Sequence, residues 1–189
     1  MIHVVLSRPK KFYLASWLIR KATNCDASHA SIHIDGSGTL KDRTLVLEAV
    51  THGVRVIPGS WWRAKNDVVK AYKLVEKEEA GAEAYRHVWD ESNVPYDFLG
   101  IVRFAARLLA RWIFGLNISY SPDTPKRLFC SELVARWLMA LSRITAGEGD
   151  EPLKIAPEMM APGDLIPLVE TMGFFEDASC ELSSSAIST

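Results

Sequence analysis

The chain has 189 residues, 48% of them apolar and 24% charged, and a net charge of −1. That excludes collagen, low-complexity and mostly disordered architectures, leaves length for one domain with a sizeable core, and gives no electrostatic reason to expect a nucleic-acid partner. Three cysteines, an odd number, do not make a disulfide framework and point to a reducing compartment.

The charge is unevenly spread. Residues 1–75 carry twelve cations against five anions and residues 76–99 two against seven. Residues 100–146 carry seven against two and residues 147–189 one against nine. Alternating blocks of this kind can neutralise one another across a folded surface.

In chain order, IHVVLS (2–7) is a short apolar run that predicts a buried strand ended by Pro9. It is too short for a signal peptide, and no uncharged apolar run reaches the ~18 residues of a membrane-spanning helix. A cytoplasmic protein, or one delivered by a phage particle, is the expectation. Residues 11–22 place Phe12, Leu14, Ala15, Leu18 and Ile19 near helical spacing, and 24–28 is turn chemistry. HASIHI (29–34) alternates, with Ala30, Ile32 and Ile34 on one side and His29, Ser31 and His33 on the other. After the glycine-containing loop 35–42, TLVLEAV (44–50), GVRVI (53–57) and DVVKAYKLV (67–75) read as further strands.

The pattern then turns helical. Residues 76–91 set Ala80, Ala84, Val88 and Trp89 on one face, and 93–95 break the helix. A second helix is predicted at 97–114, with Asp97 suited to its N-cap. It combines an apolar stripe with Arg103, Arg107 and Arg111 at i+4 spacing. It reads either as a core helix with a basic edge or as contact with an anionic membrane surface. A third helix is predicted at 128–144 and a short element at 161–170. Residues 1–175 are expected to form one domain and 176–189, polar and serine-rich, a flexible tail. Strands followed by helices predict an α+β fold, with a small antiparallel sheet packed against helices.

Chemistry is concentrated at three positions. Cys130 falls at the predicted start of a helix, where unpaired N–H groups and the helix dipole favour a thiolate and can stabilise an oxyanion. His29 opens its strand on the side away from the apolar row. Glu48 is a charge within an apolar strand that can pair with 29–34, and a carboxylate there would orient an imidazole. Each also has a plain structural reading: a buried cysteine, a partly exposed strand histidine and an outward-facing glutamate. Cys25, His29 and His33 have the spacing C-x3-H-x3-H, but a turn followed by a strand would not bring them together, so neither a metal nor another cofactor is expected.

The segments SHASIHI, LEAV followed by GVRV, VPYDFLGI, FCSELVARWL and APGDLI, in that order over residues 1–170, resemble the permuted branch of the NlpC-type papain-like superfamily. That branch contains YiiX-like cysteine peptidases or amidases and the lecithin–retinol acyltransferase-like proteins. The resemblance implies a circularly permuted papain-like fold with Cys130 as nucleophile, His29 as base and Glu48 as the third residue. His33 and His52 are rivals for the third role, and His33 also for the base. Tyr96, Ser31 and His33 are secondary candidates for substrate or oxyanion contacts. The implied activity is hydrolysis of an amide through a thioester, with peptidoglycan stem peptides as the substrate class. Lipid acyl transfer at a membrane through 97–114, or a non-catalytic module of a larger assembly, are the alternatives. The Cys130 sulfur is expected to open onto a groove.

Overall fold

The computed structural model describes residues 1–36, 43–50, 53–89, 129–147, 151–157 and 160–184. Its elements are β1 (Ile2–Pro9), α1 (Leu14–Thr23), β2 (His29–Asp35), β3 (Thr44–Val50), β4 (Gly53–Pro58), α2 (Gly59–Arg63), β5 (Asn66–Leu74), α3 (Glu78–Trp89) and α4 (Cys130–Thr145). A 3-10 turn (Pro162–Asp164), α5 (Leu165–Thr171), β6 (Phe175–Asp177) and α6 (Ser179–Ser184) follow. The fold is α+β. Six strands form one antiparallel sheet in the order β4-β3-β2-β1-β5-β6.

Strand alternation gives the sheet two different faces. One face presents Ile2, Val4 and Leu6 of β1, Ala30 and Ile32 of β2, Leu47 and Ala49 of β3, and Tyr72 and Leu74 of β5. These pack with Leu133, Val134, Trp137, Leu138 and Leu141 of α4, whose spacing makes one apolar stripe. Helix α3 lies beside α4 on the same side and can approach closely because residue 81 is glycine. A Cβ at Gly81 would come within 2.6 Å of Leu74 Cδ2 and 3.0 Å of Ile2 Cδ1. The Trp137 indole N–H donates to the Gly81 carbonyl at 3.1 Å, which satisfies a polar atom that the core would otherwise strand.

The opposite face carries Val5, Val46 and Ala71, covered by Trp62 of α2 and Leu182 of α6. One sequence expectation is corrected here, and one segment that the sequence left unassigned becomes a helix. The GSWWR segment forms α2; five residues are too few to show a helical period. The segment from 176 onward, expected as a tail, continues as β6 and α6 through Ser184. Glu176 and Asp177 pair with Lys73 and Tyr72 of β5, and Ser179 Oγ accepts the Ala71 N–H at 3.0 Å. An unpaired edge strand and an apolar patch under Leu182 supply the partners that a polar composition conceals.

Helix α1 also departs from expectation. Its one buried residue is Ser16, whose hydroxyl bonds Ser28 Oγ at 2.7 Å, while Phe12 and Leu14 are 74% and 61% exposed. Helical spacing indicated a stripe, but the side turned inward is anchored by a hydroxyl pair.

Candidate active site

His29 is the first residue of β2 and Cys130 the first of α4, so both lie at element ends. Because α4 packs along β2, its N-terminus arrives at the start of that strand. His29 lies close enough to the Cys130 sulfur for the two to interact, and the backbone N–H groups of Ala30 and Ser131 also favour its thiolate. No side chain caps α4 at Phe129, which leaves its first N–H groups to such acceptors.

Glu48 lies on β3 with its side chain 3% exposed. Its Oε2 accepts from His29 Nε2 at 2.8 Å. With Nε2 so occupied, Nδ1 is the ring nitrogen that remains for the thiol. Glu48 Oε1 accepts twice from Arg55 of β4, from Nε at 2.9 Å and from Nη2 at 2.6 Å. The hairpin sets Arg55 directly opposite Glu48. Charged donors on both oxygens compensate the cost of burying the carboxylate.

The electrostatics follow from this chain of contacts. Burial of Cys130 opposes ionisation, but the His29 charge, its hydrogen bond and the two backbone N–H groups outweigh burial and hold the thiol below its ordinary value. Burial of His29 disfavours its charged form. The Cys130 thiolate and Glu48 overcome that and carry the imidazole up to about 10. For Glu48, burial is again the largest opposing effect, and His29 and Arg55 together bring the carboxyl below its usual range. A thiolate–imidazolium pair is the protonation state these shifts favour at neutral pH.

No family model matches this chain, and no curated protein matches it.

The structure brings Cys130, His29 and Glu48 together and separates them from the other candidates. Ser31 and His33 bond each other, Ser31 Oγ to His33 Nε2 at 3.0 Å, and are 0% and 1% exposed. His33 stands edge-on to Trp62 with ring centroids 4.4 Å apart. Burial first, then the charges of His3 and Arg63, push its pKa down to about 3, so it is a neutral core residue. His52, Tyr96, Asp97 and the 97–114 segment lie outside the described residues. Cys25 sits against Gly163, where an added Cβ would meet Cys25 Cβ at 2.9 Å. Among the described residues no three His, Cys, Asp or Glu side chains gather to hold a metal ion.

The expectation of a sulfur open to a groove is corrected. Cys130 is 5% exposed, at the N-terminal end of α4 where that helix packs against β2. A cleft of about 480 Å³ reaches the other members of the cluster, with His29, Glu48, Arg55, Ser28 and Trp62 in its wall. Arg55 went unnoticed in the sequence, yet its signal was there. Strands at 44–50 and 53–57 leave a two-residue connection, which by counting places 48 opposite 55.

Proposed function

We propose that the protein is a cysteine-dependent hydrolase of an amide bond, built on a circularly permuted papain-like fold. The observation that supports this reading is the placement of the His29 ring between the Glu48 carboxylate and the Cys130 sulfur at a helix N-terminus. In the proposed reaction the Cys130 thiolate attacks the carbonyl carbon and the carbonyl electrons move onto oxygen. Collapse of the tetrahedral adduct breaks the C–N bond while His29 gives its proton to the leaving amine. Water, deprotonated by His29, then attacks the thioester and frees the carboxylate and the thiolate. Glu48 fixes the tautomer and orientation of His29, and Arg55 holds Glu48. The substrate class that the sequence resemblance suggests is a peptidoglycan stem peptide.

A second reading is a non-catalytic module, favoured by the burial of Cys130. One experiment separates them. Incubation with defined wall fragments and with lipid acyl donors, followed by mass spectrometry of the intact protein, should show a substrate-derived acyl adduct on Cys130. The adduct should be absent in Cys130→Ala and His29→Ala. A small alkylating reagent supplies the control. As pH is lowered from about 9 to about 6, Cys130 should keep its reactivity while a free-cysteine peptide loses it. If Cys130 stays inert, or tracks the peptide, the module reading replaces the enzyme.

A further inference from the structure

The segment that enters α1 exposes a run of large apolar side chains that the described residues leave uncovered. Phe12 is 74% exposed, Tyr13 57%, Leu14 61% and Trp17 40%. Leu14 and Trp17 are three apart on the helix and share its outward side, with Lys21 four residues beyond Trp17. Trp61 of α2, 67% exposed, adds a second outward-facing indole. The two segments are adjacent. The Lys10 N–H donates to the Lys65 carbonyl at 2.9 Å, and Lys10 Nζ donates to the Arg63 carbonyl at 2.7 Å. Lys10, Lys11 and Lys65 line the cleft that leads to His29, with Tyr13 among them.

We propose that this surface docks onto an anionic phospholipid bilayer. A bilayer interface accepts aromatic rings at the headgroup level and attracts lysines beside them, and the pairing of these two signals is what this surface offers. Charge complementarity selects that occupant over a second copy of the chain. A two-fold contact would set each lysine cluster against its own image, and like charges would oppose it. The attachment is peripheral: no helix among the described residues is long and apolar enough to cross a membrane. The docked orientation brings the cleft mouth, and with it His29, to the membrane surface. The proposal concerns α1 and α2 rather than the 97–114 segment, and it does not depend on Cys130 being a nucleophile.

The test is co-sedimentation of the full chain with vesicles of phosphatidylcholine alone and of phosphatidylcholine mixed with phosphatidylglycerol, at low and high salt. The protein should bind the mixed vesicles and lose binding as salt rises. Lys11→Gln and Lys65→Gln should each weaken partitioning about fivefold. A combined Phe12→Ser, Leu14→Ser and Trp61→Ser variant should fail to bind at either salt, with an unchanged circular dichroism spectrum because all three side chains are exposed. Cys130→Ala should bind as the native chain does, which separates this outcome from that of the acyl-trapping experiment. Absence of binding to the mixed vesicles at low salt overturns the proposal, as does undiminished binding by the triple variant. A dimer in sedimentation velocity that the triple variant dissolves, without vesicle binding, assigns the surface to a second copy instead.

Discussion

Replacing Glu48 by glutamine tests the proposed site at its most constrained point. An amide has one acceptor oxygen, whereas the Glu48 carboxylate uses two: Oε1 for Arg55 and Oε2 for His29. Arg55 can only donate, so it claims the amide oxygen and turns the NH₂ group toward His29 Nε2. That group forces Nε2 to accept, which moves the ring proton to Nδ1, the nitrogen facing the thiol. In that tautomer His29 cannot take the thiol proton. Recovering the productive tautomer requires flipping the amide and giving up the Arg55 hydrogen bonds, at about 1.5–3 kcal/mol for bonds to a charged group. At about 1.4 kcal/mol per factor of ten this is roughly a ten- to hundredfold loss of Cys130 reactivity, toward the lower end because Arg55 is 45% exposed. Adding Arg55→Leu should recover part of the loss, because the amide is then free to turn its oxygen to His29. The assay is the second-order alkylation rate of Cys130 at neutral pH in the native chain, the two single variants and the double variant. A Glu48→Gln rate equal to the native rate, or a double variant slower than Glu48→Gln alone, would refute the coupling of Arg55, Glu48 and His29.

Two further outcomes concern the scaffold. Gly81→Ala should destabilise by about 1–3 kcal/mol and lower Tm by several degrees, since the new methyl meets Leu74 and Ile2 in a closed core; an unchanged Tm would show that α3 shifts freely. His33 is held at about 3, against an ordinary value near 6.5, so between those values the unfolded chain binds a proton that the folded one refuses. Its contribution is complete above about pH 6.5 and is lost as pH falls toward 3, about 2–3 kcal/mol of it between pH 7 and pH 4.5. Urea midpoints over that range should fall less steeply for His33→Gln than for the native chain, and parallel curves would contradict the assignment.

The α+β class and five of the six strands were legible because period-2 runs such as HASIHI and TLVLEAV are long enough to show alternation. The juxtaposition of His29 and Glu48 followed from pairing those two strands, and the start of α4 from the apolar run after Phe129. What escaped has physical causes. Helix α2 is one turn long, and β6 with α6 is polar by composition and ordered by a sheet edge that only tertiary structure supplies. The exposure of Phe12 and Leu14 was not legible, because helical spacing tells which residues share a face and not which face is covered. The burial of Cys130 depends on how far α4 reaches under β2, a distance that no local pattern encodes. Ser31 and His33 share alternation with His29, yet Trp62, nearly 30 residues on from His33, closes over His33 and not over His29.

The position of His29 and Cys130 at the starts of β2 and α4 bears on when the thiol acquires its surroundings. His29 and Cys130 are about a hundred residues apart, and of the groups that lower the thiol only the Ser131 N–H is local to α4; the His29 ring and the Ala30 N–H come from β2. During synthesis, with domains forming from the N-terminal side, the β2 half of the pair emerges well before residue 130. Until α4 lies down on the sheet, the newly made cysteine therefore lacks the His29 and Ala30 groups that lower it. If Cys130 is the proposed nucleophile, its activation would wait on long-range docking, and the nascent chain would not carry a reactive sulfur through the crowded interval before it is folded.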